Sequence, residues 1–174
     1  MNRYIYSLFF LLVIAACNNK KESAKVVMPD YFKQEIGIDK EGEYKVTGQD
    51  SIKSLWQDYV AQALGSQREV QLKDFKIVKA KTKENEEETG AVDYYMLVSS
   101  TADGKIKAAA LLELKGDKFY FLKTAENAVT YSVLVCAGEC SEGCNPIMSI
   151  TRGGQLLNCS ECLECNKMDG EIGR

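Results

Sequence analysis

The chain has 174 residues; 22 are Lys or Arg, 25 are Asp or Glu and none is His, so the formal net charge is −3. The lack of histidine excludes Ser-His and Cys-His nucleophile pairs and histidine-ligated zinc or haem. The mildly acidic balance argues against a nucleic-acid partner, since binding to phosphates requires concentrated Lys and Arg.

The amino-terminal segment has the features of a secretory signal peptide. Arg3 precedes one dense apolar run, Tyr4 to Ala16, which is shorter than the roughly 20 apolar residues of a membrane-spanning helix. Two small residues come directly before Cys17, and Val13-Ile14-Ala15-Ala16-Cys17 resembles the lipobox of bacterial lipoproteins. The resemblance implies cleavage before Cys17 and a diacylglyceryl group on its thiol. The protein is then expected in the cell envelope, lipid-anchored on the outer side of the inner membrane or on the outer membrane.

The sequence divides into four expected regions. Residues 1–16 are the signal peptide, and residues 17–30 form the lipidated anchor and a polar, charged tether without periodicity. Residues 31–135 carry the apolar patterns of an α+β domain. Residues 136–174 contain a six-cysteine module and a C-terminal tail.

An amphipathic helix is predicted over Asp50 to Gly65. Its apolar stripe follows the spacing of one helix face: Ile52, Leu55, Trp56, Tyr59, Val60, Ala63 and Leu64. Asp50 or Ser51 is expected to cap the first turn, and Gly65 is expected to end the helix in a left-handed conformation. Trp56, in the middle of the stripe, is predicted to be a core residue.

Beyond the helix the apolar period changes from 3.6 to 2, which predicts strands. Five strands are expected there: Phe75–Lys81, Val92–Val98, Ile106–Leu114, Phe119–Leu122 and Val129–Val135. A further short strand, Tyr44-Lys45-Val46, is expected before the helix. Turn signals at Asp103-Gly104 and Gly116-Asp117 separate some of them. Because the connections are too short for parallel crossovers, we expect consecutive antiparallel pairing.

The predicted fold class is therefore α+β. One amphipathic helix packs on an antiparallel meander sheet, an element order similar to that of cystatin-like folds, and a Cys-rich C-terminal module follows. This architecture hosts inhibitors, binding modules and enzymes alike, so it does not name a function.

Six cysteines after Cys17 form two triplets, Cys136, Cys140, Cys144 and Cys159, Cys162, Cys165. An exported segment with an even number of cysteines and few core-forming residues is typical of a disulfide-stabilised module. Two apolar stretches flank Gly153-Gly154, which predicts a hairpin that brings the triplets side by side. Bridges between triplets are then favoured over bridges within one, although fifteen pairings of six cysteines are possible in principle.

Two alternatives for the same six cysteines remain open. The spacing C-x2-C-x2-C also begins an iron–sulfur ligand pattern, and four thiolates can hold zinc. The pairs Cys159/Cys162 and Cys162/Cys165 have the C-x-x-C spacing of thiol–disulfide oxidoreductases. Each pair encloses a glutamate, which disfavours the thiolate form.

These observations predict a membrane-anchored cell-envelope lipoprotein that acts as a non-enzymatic binding or structural module. No recognisable catalytic motif is present, and no cofactor is expected unless the cysteines bind zinc or an iron–sulfur cluster. The expected partners are the membrane, through the lipid on Cys17, and an envelope protein or ligand that the sequence does not identify. Reduction is expected to loosen the region after Cys136 and to leave the helix and sheet folded.

Overall fold

The computed structural model describes residues 33–66, 69–82, 90–125, 128–141, 143–151 and 154–173. Within these ranges it has one helix, α1 (Gln49–Ala63), and ten strands. The strands are β1 (Gly37–Lys40), β2 (Glu43–Val46), β3 (Lys73–Lys81), β4 (Asp93–Ser100), β5 (Ile106–Lys115), β6 (Lys118–Phe121), β7 (Tyr131–Ala137), β8 (Pro146–Thr151), β9 (Gly154–Cys159) and β10 (Asn166–Ile172).

Helix α1 begins differently from the prediction. Its N-cap residue is Gly48, in the left-handed region at φ 62°, and no side chain caps the first turn. Ser51 instead donates its hydroxyl to the Gly48 carbonyl oxygen at 3.1 Å. The predicted cap by Asp50 or Ser51 is therefore wrong, because a left-handed glycine already turns the chain into the helix.

The end of α1 confirms the role expected of Gly65. Gly65 has φ 59°, and its N–H donates to the Gln62 carbonyl oxygen at 3.0 Å while the Ser66 N–H donates to that of Ala61 at 2.9 Å. This pair of bonds is a Schellman motif, which satisfies carbonyls that the helix leaves open. No helix in the described ranges has the length and apolar character needed to cross a membrane.

Eight strands form one antiparallel sheet, which confirms the predicted α+β class. Strands β3, β4, β5 and β6 pair consecutively, as expected, and β1 joins the sheet beside β6. One pairing differs from the meander: β7 pairs with β5 through Ile106–Ala109, while β6 pairs with β5 through Leu112–Lys115. Because β5 has 10 residues and β6 only 4, one edge of β5 accommodates both neighbours.

Helix α1 covers one face of the sheet, the helix face. Ile52, Trp56 and Val60 are fully buried against it. The Trp56 ring lies 5.6 Å from that of Phe75, and its indole Nε1–H donates to the Tyr131 hydroxyl at 3.2 Å. The core position predicted for Trp56 is confirmed, as is the alternation along β5, whose members on this face are Ile106, Ala108, Ala110, Leu112 and Leu114.

The β8–β9 hairpin covers the opposite face of the sheet, the hairpin face. Met148 and Leu157 pack there against apolar residues of the central strands, namely Tyr94, Met96, Val98, Ala109 and Leu134. The Met148 backbone N–H also donates to the Tyr94 hydroxyl at 3.1 Å. The fold thus has three layers, with the sheet buried between a helix and a hairpin.

Strand β10 adds the C-terminal segment to the same sheet. All seven of its residues pair with β7, and Ile172 is buried in the core of the helix face. The boundary expected between residues 135 and 136 falls inside β7. The cysteine-rich segment is therefore built into the sheet on one side and onto the hairpin face on the other.

Candidate functional site

The six cysteines of the C-terminal module form three disulfides. Cys136 pairs with Cys159, Cys140 with Cys162 and Cys144 with Cys165, at Cα–Cα distances of 5.7, 6.4 and 5.4 Å. These distances lie within the usual range for bridged cysteines. Every bridge joins one triplet to the other, as expected from a hairpin between the triplets. The cysteines pair in the same order along both triplets, whereas antiparallel strands continued straight beyond the hairpin would pair them in the reverse order.

The β8–β9 hairpin positions the two triplets. Its register pairs Pro146 with Cys159 and Thr151 with Gly154, so the connecting residues are 152 and 153, one position earlier than the predicted Gly153-Gly154 turn, and they lie outside the described residues. At the open end of the hairpin, the Ser160 N–H donates to the Asn145 carbonyl oxygen at 2.7 Å, and the Asn145 N–H donates to Ser160 Oγ at 2.9 Å. These bonds hold the segments that carry Cys144 and Cys159 next to each other.

The two cysteine segments also touch through their backbones at Gly138. A Cβ atom at this position would collide with the Glu164 carbonyl oxygen and would lie 3.0 Å from the Cys165 Cα atom. The Gly138 N–H donates to the Lys105 carbonyl oxygen at 3.0 Å. Only a residue without a side chain allows this close approach.

Burial differs among the cysteines. Cys136 and Cys144 are fully buried and Cys159 is 9% exposed, whereas Cys140, Cys162 and Cys165 are half-buried. The Sγ atoms of the three buried cysteines lie within 4.8 Å of one another. As thiolates, these three sulfur atoms are close enough together to bind one soft metal ion. A thiolate ligand requires a broken bridge, so metal binding and the disulfides are alternative states of the same sulfur atoms.

The C-x-x-C pairs do not bond internally. Cys159 and Cys162 each bridge back to the first triplet, and residues 160–165 form bends and a turn, not the start of a helix. The helix N-terminus that lowers a thiol pKa in redox enzymes does not occur at this position.

The turn between Cys162 and Cys165 presents the most exposed large apolar side chain in the described ranges. Leu163 has a relative exposure of 107%, between the half-buried, disulfide-bonded Cys162 and Cys165. Glu161 and Glu164 lie exposed on either side of it in the sequence. We call Leu163 with these two carboxylates the Leu163 tip.

The hairpin leaves two grooves on the hairpin face. The β9–β10 groove has a volume of about 560 Å³ and contains five leucines together with Lys123, Asp169 and Glu171. The β3–β8 groove has a volume of about 470 Å³, and its lining includes Val78, Met96, Val98, Lys76 and Lys107.

The resolved pKa shifts of charged side chains favour the charged forms. A hydrogen bond and the charge of Glu139 raise the pKa of Lys105, which ties the module to the β4–β5 turn. The hydrogen bond from Lys79, at 2.8 Å, lowers the pKa of Asp93. Shifts in these directions describe surface ion pairs, not groups prepared to exchange a proton near neutral pH.

Among the residues singled out from the sequence, the structure brings together the six cysteines of the two triplets. Cys17 lies outside the described residues. Sequence reasoning missed the Leu163 tip and both grooves, because exposure and concavity depend on how the hairpin lies on the sheet. The available sequence signal for the tip was an apolar residue between glutamates inside C-x2-C.

In comparisons with known proteins, no family model matches the chain, and neither a curated protein nor a solved structure is significantly similar to it.

Proposed function

We propose that the protein is a lipid-anchored lipoprotein of the bacterial cell envelope that acts as a non-enzymatic binding module. The lipobox-like sequence Val13-Ile14-Ala15-Ala16-Cys17 supports the anchor. Acyl chains contribute about 0.8 kcal/mol per buried methylene, so two or more chains hold a protein on a membrane stably. Disulfides persist in the oxidising compartment that such an export signal leads to.

The observation that carries the proposed binding role is the Leu163 tip. Leu163 exposes its whole apolar side chain to water, and burial against a partner would gain the free energy of removing that surface from water. The Cys140–Cys162 and Cys144–Cys165 bridges hold the turn on both sides, so little conformational entropy remains to be lost on binding. Flanking carboxylates favour a partner protein with an apolar pocket and basic residues around it.

The anchor is tested by the substitution Cys17→Ser. The variant should keep its signal peptide and carry no acyl mass, whereas Asn18→Ser, at the neighbouring position, should be processed and acylated normally. Intact mass spectrometry of the membrane fraction reads both. An acylated, cleaved Cys17→Ser protein would contradict the lipobox interpretation.

The binding role is tested by crosslinking at the tip in intact cells. A photoreactive group on a residue beside Leu163 should capture a specific envelope protein, and Leu163→Ser should reduce this capture roughly tenfold or more, as expected for loss of a buried leucine. Val129 is 58% exposed and lies outside the module, so Val129→Ser is the matched control. Equal capture by the Leu163→Ser and Val129→Ser variants would remove the tip from the interface.

The alternative function is a cysteine-ligated metal or thiol-redox protein. The observation that favours it is the close grouping of the Cys136, Cys144 and Cys159 sulfurs. Alkylation of natively exported protein under denaturing, non-reducing conditions distinguishes the two functions. We expect no labelled cysteine and no metal by elemental analysis; four or more labelled cysteines with stoichiometric zinc or iron would replace our proposal by the metal function. Two labelled cysteines in the second triplet would replace it by the redox function.

A further inference from the structure

The β3–β8 groove combines an apolar floor with basic side chains. Strand β8 lies over only part of the hairpin face, and the strip between it and β3 stays open. Val78, Met96 and Val98 contribute apolar side chains to the groove, and Pro146 and Ile147 contribute the hairpin side. A volume of about 470 Å³ is within the 300–1,000 Å³ typical of small-molecule sites.

The charges in this groove are unbalanced. Three ammonium groups line it, from Lys76, Lys81 and Lys107, against the single carboxylate of Asp74. Lys81 is partly compensated by Asp93, at 4.0 Å. Among the described residues, no carboxylate lies within ion-pair distance of Lys76 or Lys107.

Lys107 is a partly buried ammonium group whose hydrogen-bond partner is neutral. It is half-buried on β5, and its Nζ donates a hydrogen bond to the neutral side-chain oxygen of Asn145. A partly buried ammonium with a neutral partner has lost hydration without gaining an opposite charge. An anion beside it would supply that charge.

The groove also has a direction. Lys107 pairs with Ser100 at one end of β4, and Met96 and Tyr94 follow along the same strand toward Lys81, which pairs with Asp93. From Ser100 to Tyr94 the strand extends about 20 Å at 3.3 Å per residue. An anionic group is favoured at the Lys107 end, and an extended apolar chain is favoured along the floor.

We propose that the β3–β8 groove binds a free long-chain carboxylate, with its carboxylate at Lys107 and Lys76 and its alkyl chain over Val78, Met96 and Val98. This site is separate from the Leu163 tip, and its occupation does not depend on the lipid on Cys17. The chain therefore carries a ligand site in addition to its proposed contact with a partner protein.

The test uses the full-length oxidised protein and palmitate that carries a diazirine near its methyl end. Saturable labelling is expected on peptides from β3, β4 and β8, with little on the β9–β10 groove. Unlabelled palmitate should compete, whereas hexadecanol, which lacks the charge, and hexanoate, which lacks the chain, should not. Labelling spread over the whole surface, or equal competition by hexadecanol, would overturn the proposal.

Substitutions then locate the carboxylate. Lys107→Met, which keeps length and removes charge, should lower palmitate affinity about tenfold or more, and Lys107→Arg should restore most of it. Lys79→Met on the same strand as Lys76 is the control, since Lys79 pairs with Asp93 and does not line the groove. An unchanged Trp56 emission indicates that a variant is folded. If Lys107→Met fails this criterion, the Lys76→Met variant is measured in its place, because Lys76 is exposed. An unaltered palmitate affinity in the folded variant would refute a site for the free acid.

Discussion

Reduction of the three disulfides should unfold the whole domain and not only its C-terminal segment. The bridges span sequence separations of 23, 22 and 21 residues. In the chain-entropy treatment, the first bridge to form contributes about 3.4 kcal/mol to the free energy of unfolding. Once it is present, each further bridge closes a ring of only about seven residues and contributes about 2.4 kcal/mol. The total of about 8 kcal/mol is comparable with the entire stability of a typical domain, roughly 5–15 kcal/mol.

Reduction should also weaken the packing of the hairpin face, which adds to the loss of unfolding free energy. Cys136 and Cys144 are fully buried and belong to the same apolar cluster as Met96 and Leu134 of the sheet. Strand β10, which follows the second triplet in the chain, also pairs along its full length with β7. The apolar core continues past Val135 into the cysteine segment. The helix and sheet are therefore not expected to stay folded after reduction, contrary to the expectation from the sequence.

Trp56 provides the assay, because it is the single tryptophan of the chain and is fully buried. Addition of a phosphine reductant should shift its emission to that of a solvent-exposed indole and abolish slow amide exchange in β3, β4 and β5. The control is the double variant Cys140→Ser, Cys162→Ser, which lacks the half-buried middle bridge. The two outer bridges then close a ring of about 14 residues, so this variant should lose only about 1.7 kcal/mol and should stay folded. A fully reduced protein with unchanged Trp56 emission and protected central strands would refute the reasoning.

Three further predictions concern the core and the module. Trp56→Ala should lower the free energy of unfolding by about 3–5 kcal/mol through lost packing and the lost bond to Tyr131; a circular-dichroism urea titration measures it, and a loss below about 1 kcal/mol would contradict the core assignment. Gly138→Ala should lower the urea midpoint because its Cβ meets backbone atoms, while Gly90→Ala, whose Cβ meets nothing within 4 Å, should not; equal midpoints would show that the cysteine segments can separate. Burial, and then the charge of Asp169, raise the pKa of Tyr59, so its contribution to stability is complete below about pH 10 and is lost as the pH rises through the higher pKa of the folded state. Tyr59→Phe should flatten the alkaline decline in unfolding midpoint, and an unchanged slope would exclude this group as its source.

Much of the fold could be predicted because the patterns are local. The spacing from Ile52 to Leu64 identified the helix and its buried tryptophan, and the period-2 alternation along β5 placed Ile106 to Leu114 on one face. The helix start was missed, since Gly48 has no side chain to mark it as a cap. Val129 was expected in a strand but lies exposed before β7, because an apolar residue in a loop continues the alternation by coincidence.

Strand β10 was missed because its composition is poor for a strand. It contains Gly170 and three charged residues beside inward-facing Met168 and Ile172. The glycine is required by packing: a Cβ atom at Gly170 would lie 2.5 Å from the Tyr59 hydroxyl oxygen. The alternation of Met168, Gly170 and Ile172 with charged residues was the signal that could have found this strand.

The candidate site was predictable in its chemistry and not in its geometry. Six cysteines and a glycine turn indicated bridges between triplets, and the structure has these. The order of pairing was not predictable, because the two cysteine segments leave the antiparallel course of the hairpin and pair first with first and last with last. Lys107 is one lysine among many in the sequence; its half-buried position beside Asn145 depends on contacts between residues 38 positions apart.

The pairing of each cysteine in the first triplet with one in the second has a consequence for biogenesis. A chain is synthesised from its amino terminus, so Cys136, Cys140 and Cys144 are made before any of their partners, which follow 21 to 23 residues later. Three thiols four residues apart can oxidise with one another during that interval, and any such bridge must later exchange with a thiol of the second triplet. On the proposed export to the cell envelope, maturation therefore requires disulfide isomerisation as well as oxidation. In a strain without isomerase activity, the yield of correctly bridged protein should fall while the amount of exported chain changes little.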